Sequence, residues 1–398
     1  MWYNILGFPN QMVWEIYLNK GIFREGVFLY IENIRLINFR NYNSLNVKLN
    51  KNMNIFIGKN AQGKTNLLES IYLCATGGSF RTNKDRELIN FNKKEAYVGA
   101  NVGLNGSGRF IEIKLDRNGP KRVKINRVEL DNLKELNSGL SVIIFSPEDL
   151  KIVKGSPIER RNFLDLSISQ IRPVYKYNLN RYNKILYQRN NLLKSNKSNM
   201  DILNLLEIFD IQMAKTGTEV ILARREFIKR LSNESCIIHK QLTLENENLD
   251  LDYISNVDFY NKNKDEIESN FFKKLKSNTK RDLIIKSTEI GPHRDDIEIK
   301  INNMDTRAFA SQGQQRTIVL SIKLSQVEII NIENGIYPVL LLDDVFSELD
   351  EERRKYLSKS FNKIQTIITS TDLLGLEELE KTNKSIFYID NGEIIYEE

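Results

Sequence analysis

Gly58-Lys59-Asn60-Ala61-Gln62-Gly63-Lys64-Thr65 is the stretch that decides the fold. It has the spacing G-x-x-x-x-G-K-[ST], in which glycines let the backbone turn its N–H groups onto phosphate oxygens. The flanks agree. Asn52 to Ile57 reads as a short apolar strand ending at the first glycine, and Lys64 to Ala75 as a helix whose positive N-terminal end adds to the attraction. All eight residues are therefore candidate ATP contacts. Lys64 is expected to reach the β and γ phosphates as a catalytic group, and Thr65 to ligate Mg²⁺.

Downstream, Val339-Leu-Leu-Leu-Asp343-Asp344 reads as a buried strand carrying two carboxylates at its C-terminal end. Open α/β sheets bind ligands at that end, so these acids belong beside the phosphate loop. Asp343 is expected to hold Mg²⁺, and Asp344 to orient the attacking water as catalytic base. Ser311, Gln312, Gly313, Gln314 and Gln315 precede an amphipathic helix and resemble the S-G-G-Q signature of ABC ATPases. In that class the serine hydroxyl, the glycine N–H and the helix start face a γ-phosphate held by the opposite subunit. The segment follows the phosphate loop and precedes Asp343 by 32 residues, the order that class uses. Ser347-Glu-Leu-Asp350 matches its D-loop, with Ser347 and Asp350 as the named positions. Four motifs in order predict an ABC-type ATPase, and a site completed by a second subunit makes dimerisation ATP-dependent.

Around these motifs the chain is built of 398 residues, 41% of them hydrophobic and 28% charged, with a net charge of +6. That length favours either two domains or one large domain with an insertion. Cys74 and Cys236, and His239 and His293, are isolated, which argues against a zinc site or disulfide framework and fits a reducing cytosol. No apolar run approaches the roughly 20 residues needed to cross a bilayer, so no membrane role is expected. Segments 97–104, 109–115 and 121–125 alternate like antiparallel strands, and Val142 to Phe145 is a further strand. Between residues 151 and 285 apolar residues recur at helical spacing, as in Tyr175, Leu179, Tyr182, Leu186 and Leu193. The Asn- and Lys-rich stretches 194–200 and 244–265 read as loops or joints. From Asp296 strands return; a helix is expected at about 314–330, another near 350–360, and a strand at 364–369. The expected fold is an α/β ATPase head with a mainly helical insert and no long coiled coil. Residues 30–150 and 286–398 would form a discontinuous ATPase lobe, and 151–285 the inserted one.

Beyond the general class, the chain resembles the RecF family of bacterial recombination and repair ATPases. The resemblance is carried by Asn38-Phe-Arg-Asn-Tyr42, Ser79-Phe-Arg81, Phe145-Ser-Pro-Glu-Asp-Leu150, Gly155 through Asp165, Gln188-Arg-Asn190, Gly291-Pro-His-Arg-Asp-Asp296, Ser311 through Thr317 and Leu342 through Asp350. It implies a head like those of SMC and Rad50 proteins, ATP and Mg²⁺ as cofactors, and Arg40 as a further ATP contact. It also implies binding to single- and double-stranded DNA, including gapped DNA. Work with RecO and RecR, loading of RecA, and roles in replication, repair and the SOS response come with it. Ser146 stands where many ABC ATPases have a glutamine, and Thr371 where they have a histidine, which leaves the γ-phosphate sensor open. An aspartate at 344, one methylene shorter than the usual glutamate, predicts slow hydrolysis. Residues 1–29 lie outside the resemblance. Arg24-Glu-Gly26 can be encoded by a ribosome-binding-site-like string, so residues 1–28 are expected to be a gene-start artefact.

Residues 151–200 hold eleven lysines or arginines against two acids, a net +9. Arg160, Arg161, Arg181 and Lys184 are the candidate DNA contacts there, and Lys121, Arg122, Lys124 and Arg127 a second basic stretch. Tyr175 and Tyr182 fall on the apolar stripe and read as core. A transporter ATPase subunit fits less well, since it calls for the missing histidine. An SMC- or Rad50-type protein calls for hundreds of residues of heptads, where only about 245 residues separate phosphate loop and signature.

Overall fold

A computed structural model describes residues 28–104, 107–130, 139–195, 199–346, 349–360, 364–372, 379 and 383–397. The elements that position the site are strands β1 (Leu29–Phe39), β2 (Tyr42–Lys48) and β3 (Met53–Ile57), helix α1 (Lys64–Thr76), and strands β4 (Glu95–Leu104), β5 (Ser107–Asp116), β6 (Arg122–Ile125), β7 (Val128–Glu129) and β8 (Val142–Phe145). Helices α2 (Pro157–Ile171), α3 (Pro173–Leu193) and α4 (Asn199–Leu242), strand β9 (Leu249–Ile254) and helix α5 (Lys264–Ile285) follow. The chain closes with β10 (Asp296–Ile301), β11 (Met304–Asp305), α6 (Gln312–Asn334), β12 (Val339–Asp343), α7 (Glu351–Ser360), β13 (Thr366–Ser370), β14 (Lys384–Asp390) and β15 (Glu393–Glu397).

One six-stranded sheet has the order β15-β14-β3-β13-β12-β8. It is parallel except for the β14–β15 hairpin. A parallel sheet needs cover on both faces, and its strands show it: every residue of β3, β8, β12 and β13 is buried. Alternate residues point to opposite sides. Phe56, Leu341 and Ile367 join α1 and strands β1, β2, β4 and β5, whereas Ile55, Leu342 and Ile368 join α6 and α7. A second, antiparallel sheet of order β2-β1-β4-β5-β6-β7 closes over the other side of α1. The antiparallel strands expected at 97–104, 109–115 and 121–125 are all here.

The inserted helices form another core. Phe163 and Ile168 of α2, Tyr175 and Tyr182 of α3, Met213 and Phe227 of α4, and Phe271 of α5 pack with Leu251, Ile299 and one side of α6. Helix α6 is therefore shared between two cores, with Leu320 and Leu324 turned to the parallel sheet and Ile318 and Ile322 to the helices.

Three expectations need correction. The stretch 244–265 is not one loop, because it contains β9 and the start of α5. Leu249, Leu251 and Tyr253 are buried while Asp250, Asp252 and Ile254 are exposed, a two-residue period masked by the Asn- and Asp-rich composition. The expected boundary at 285/286 separates β9 from its partner: β10 pairs with β9, from Asp296 opposite Ile254 to Ile301 opposite Leu249. Residues 296–305 therefore go with the inserted helices. Finally, the sheet starts one residue inside the expected extension of residues 1–29, since Leu29 pairs with Leu104 at the start of β1. Residues 1–27 and 196–198 lie outside the described residues.

Candidate functional site

Strand β3 ends at the centre of the parallel sheet, and Gly58 N–H donates to Ser370 O at 3.2 Å to fix where the loop begins. The loop then closes on itself. Gly63 has φ +116°, and a Cβ there would come within 2.7 Å of Asn41 Nδ2, so only glycine fits. No side chain caps α1, and Gly63 stands at its N-cap. Its first backbone N–H groups thus face the loop interior, the arrangement that attracts a phosphate. Lys64 is buried, and its ammonium spans the loop, donating to Gly58 O at 2.6 Å and Lys59 O at 3.2 Å.

The loop is braced from outside by two elements remote in sequence. Asn41 Nδ2 donates to Gln62 O at 2.9 Å, and Tyr42 Oη to Gly63 O at 3.0 Å. The β14–β15 turn does the same from the far end of the chain. Gly392 N–H donates to Gln62 O at 3.0 Å, and Asn391 N–H to Gln62 Oε1 at 2.5 Å. The Gln62 side-chain oxygen and its backbone carbonyl therefore serve the braces of the loop. Gly392 has φ +77°, and a Cβ there would lie 2.8 Å from Asn41 O, so this approach also requires glycine.

Asp343 ends β12 directly opposite. Thr65 Oγ1 donates to Asp343 Oδ1 at 2.8 Å, and Thr369 Oγ1 to the same oxygen at 2.9 Å. Burial pushes the Asp343 carboxyl above the ordinary aspartate range; the two hydroxyls oppose this and the neighbouring Asp344 charge adds to it. A cation would remove that penalty. Hydroxyl and carboxylate are hard oxygen donors, and Mg²⁺ uses few protein ligands and completes its shell with water and phosphate. Thr65 and Asp343 fit such an ion. No cluster of three or more His, Cys, Asp or Glu suited to a metal occurs among the described residues, so no all-protein cage competes. Asp344 follows in the left-handed region, φ +54°, which aspartate tolerates; its N–H donates to Thr369 Oγ1 at 3.1 Å.

The remaining expected residues fall out unevenly. Ser311 caps α6 reciprocally with Gln314: Ser311 Oγ accepts from Gln314 N–H at 3.2 Å, and Gln314 Oε1 from Ser311 N–H at 2.8 Å. Ser311, Gln312 and Gly313 are exposed, whereas Gln315 turns inward and donates to Ala310 O at 2.7 Å. Asp350 caps α7 by accepting from Arg353 N–H at 3.0 Å. Ser347 lies outside the described residues. Arg40 places its guanidinium on Glu69 of α1, at 2.8 and 2.7 Å, with a third bond to Glu87 O at 2.8 Å. Arg81 and Ser79 join the same buried carboxylate. Arg40 thus shapes the outer side of α1. Ser146 is a helix cap whose N–H donates to Asp149 Oδ2 at 2.8 Å, and Asp149 in turn pairs with Lys323 of α6 at 2.7 Å. Thr371 is exposed, and it is Thr369 that reaches Asp343.

Of the DNA candidates, Arg160 is contradicted. It is 1% exposed and grips Asp296 through Nε at 2.5 Å and Nη2 at 2.9 Å, which ties α2 to β10. Arg161 is half-buried and donates to Asp295 O at 2.8 Å. Arg181 and Lys184 are exposed on α3, along with Tyr177 and Tyr187. Tyr175 and Tyr182 are core, as expected. Lys121 pairs with Asp85 at 3.1 Å, while Arg122 and Arg127 are exposed on the β6–β7 hairpin. Sequence reasoning missed Glu69, the Asn391–Gly392 turn and the buried Arg224, and gave Arg189, quoted within Gln188-Arg-Asn190, no role. A lone acid, a turn dipeptide and an ordinary arginine carry no local signal, because their partners lie far along the chain.

A phosphate loop, an acidic strand end and a capped helix start, set on this sheet order, define the head of an ABC-type ATPase of the SMC class. The model of the RecF/RecN/SMC N terminal domain matches residues 30–394. The chain belongs to the RecF family. A curated relative from Clostridium novyi (strain NT), described as "DNA replication and repair protein RecF", is 46% identical over 366 residues, covering 92% of this chain and 99% of the relative. One of the same description from Alkaliphilus oremlandii (strain OhILAs) is 46% identical over 368 residues, covering 92% of this chain and all of its own. Among solved structures, the recombination mediator protein RecF of the RecFOR pathway, in its ATP form, aligns with a TM-score of 0.85 at 37% identity, covering 92% of this chain and 99% of that one. An Smc head domain from Pyrococcus furiosus aligns with a TM-score of 0.53 at 16% identity, a likeness of fold.

Proposed function

We propose that this chain binds ATP with Mg²⁺, closes into a dimer around two nucleotides, and grips single- and double-stranded DNA, gapped DNA included, while closed. The observation that carries the reading is the 2.8 Å contact from Thr65 Oγ1 to Asp343 Oδ1, which brings the phosphate loop and the acidic strand end to one point. Bound Mg²⁺ would neutralise charge on the β and γ phosphates. Lys64 leaves the Gly58 and Lys59 carbonyls for those same oxygens, and the loop N–H groups hold them in place. Asp344 orients the attacking water and takes its proton; the short side chain keeps hydrolysis slow. Ser311, Gln312 and Gly313, exposed on a capped helix start, contact the γ-phosphate of the partner copy.

The DNA part of the reading rests on α3. Its 21 residues contain no acid, and its exposed side carries Arg181, Lys184, Tyr177 and Tyr187. Cations neutralise phosphates and rings stack on bases. Since the family's solved members carry the RecFOR name, cooperation with RecO and RecR, and through them the loading of RecA in repair and the SOS response, is part of the same proposal. No helix among the described residues is long and apolar enough to cross a membrane. Gel filtration with light scattering tests the core of it, with and without MgATP and gapped DNA. Wild type should shift to a dimer that carries DNA. Lys64→Met should lose ATP binding, and Ser311→Arg should keep ATP binding but stay monomeric. A wild type that stays monomeric and free of DNA at saturating MgATP would refute the reading.

A further inference from the structure

The cap of α6 uses both ends of the Gln314 amide. Oε1 takes the Ser311 N–H, and Nε2 donates to Glu247 Oε1 at 2.8 Å. Glu247 sits in the turn between α4 and β9, 67 positions away in the chain, with its side chain 19% exposed. Its other oxygen, Oε2, lies 3.0 Å from Nε2 of the buried His239 near the end of α4. Nδ1 of that ring is 3.0 Å from Ser321 Oγ. Gln314 and Ser321 are seven residues apart, two turns of one helix face. A carboxylate–imidazole pair from the inserted helices therefore spans the first two turns of the signature helix.

The turn that carries Glu247 is itself held. Thr243 donates to His239 O from N at 2.9 Å and from Oγ1 at 2.8 Å, and Glu245 N–H donates to Lys240 O at 2.8 Å. Asn248 is locked to Asn302 in both directions, at 2.9 and 3.0 Å. A glutamine amide has a donor end and an acceptor end, and free rotation exchanges them. An ionised carboxylate only accepts, so Glu247 selects Nε2 toward itself and leaves Oε1 for Ser311 N–H. Charge on the acceptor and partial burial strengthen that selection.

From this geometry we infer that Glu247 is a positioning residue for the signature segment: by fixing the Gln314 amide it sets the shape in which Ser311, Gln312 and Gly313 meet the partner's nucleotide. The inference rests on the ATP-closed dimer proposed above. It makes the join between α4 and β9 the point at which the inserted helices touch the trans contact, so a shift of the end of α4 against α6 changes how well the dimer closes. Glu247 gives its two oxygens to Gln314 and His239, and neither of these belongs to the phosphate loop or to the acidic end of β12. Its loss should therefore weaken closure and spare ATP binding by the monomer.

The test uses the full chain, measuring ATP-driven dimerisation by light scattering and monomer ATP affinity with a fluorescent ATP analogue. Glu247→Ala should weaken dimerisation about 100-fold, about tenfold for each of the two signatures, with monomer ATP affinity unchanged. Glu247→Gln can offer its carbonyl to Gln314, so it should recover most of that loss. The double variant Glu247→Ala/Gln314→Ala should be no weaker than Gln314→Ala alone. Wild-type closure by Glu247→Ala overturns the inference. So do single-variant effects that simply add, and so does a parallel loss of monomer ATP affinity, which would mark a merely structural residue. If Glu247→Ala does not fold, Glu247→Gln and Gln314→Ala decide: a Gln variant as weak as Gln314→Ala is also contrary. Ser311→Arg separates the two levels. If it dimerises normally, the dimer reading fails; if it does not while Glu247→Ala does, only the role of Glu247 fails.

Discussion

Replacing Asp343 by asparagine should separate the stability of the fold from its response to nucleotide. The new amide keeps an oxygen where Thr65 and Thr369 donate, at 2.8 and 2.9 Å in the parent, and removes the charge. Burial raises the Asp343 carboxyl above its ordinary range. An acid whose folded pKa exceeds its unfolded one costs nothing below the unfolded value, and the cost grows as pH rises through the folded one. Without ligand the variant should therefore melt no lower than wild type at neutral pH, and the gap in its favour should close on acidification toward about pH 4. With MgATP the order reverses. At 100 times Kd a ligand stabilises by about 2.7 kcal/mol; a variant binding 100-fold more weakly gains about 0.4 kcal/mol at the same concentration. Thermal melts with and without MgATP check this: wild type should rise by several degrees and Asp343→Asn by about one. An equal rise in both would refute the assignment of Asp343 to the metal, and a lower unliganded melting temperature would refute the account of its burial.

Other outcomes follow from the same geometry. Asp344→Asn should keep ATP-driven dimerisation and lose steady-state hydrolysis; unchanged turnover would remove Asp344 as the base. Charge reversal at Arg181 and Lys184 should weaken DNA binding and flatten its log–log salt slope by about two per protomer, read by fluorescence anisotropy across salt. An unaltered slope would move the DNA site off α3. Arg189→Met should cost about 3–5 kcal/mol in urea melts at neutral pH, because it strands Asp210 and Asp282, which Arg189 holds at 2.7 Å each. Burial already pushes the Asp210 carboxyl up and Arg189 pulls it down, so the deficit should shrink as pH falls and the acid takes its proton. A loss independent of pH would contradict this.

Most of the candidate nucleotide site is legible in the sequence because its parts are local patterns. The phosphate loop is eight consecutive residues, β12 is an apolar run ending in acids, and Ser311 sits where a cap and its Gln314 partner are three apart. What escaped was set by distance along the chain. Arg160 looked like a surface cation, since its partner Asp296 lies 136 residues away. Glu247 stood in what read as polar loop, and neither His239 nor Gln314 is its neighbour in sequence. Strand β9 hid because its exposed side is acidic and its flanks are rich in asparagine, so turn-forming composition outweighed a short alternation. The β14–β15 hairpin drew no expectation at all, yet it supplies two of the bonds that hold Gln62.

The placement of β3 bears on how the protein is made. Met53 is aligned with Thr366 on one side and with Lys384 on the other. A growing polypeptide can finish the antiparallel sheet from its first hundred or so described residues, whereas the edges of β3 must wait for nearly the last. At about 5–20 residues per second that wait is on the order of tens of seconds, during which a bare apolar strand is open to wrong partners. Chaperone demand during synthesis should therefore centre on residues 53–57, and a nascent fragment ending before residue 366 should not acquire nucleotide binding.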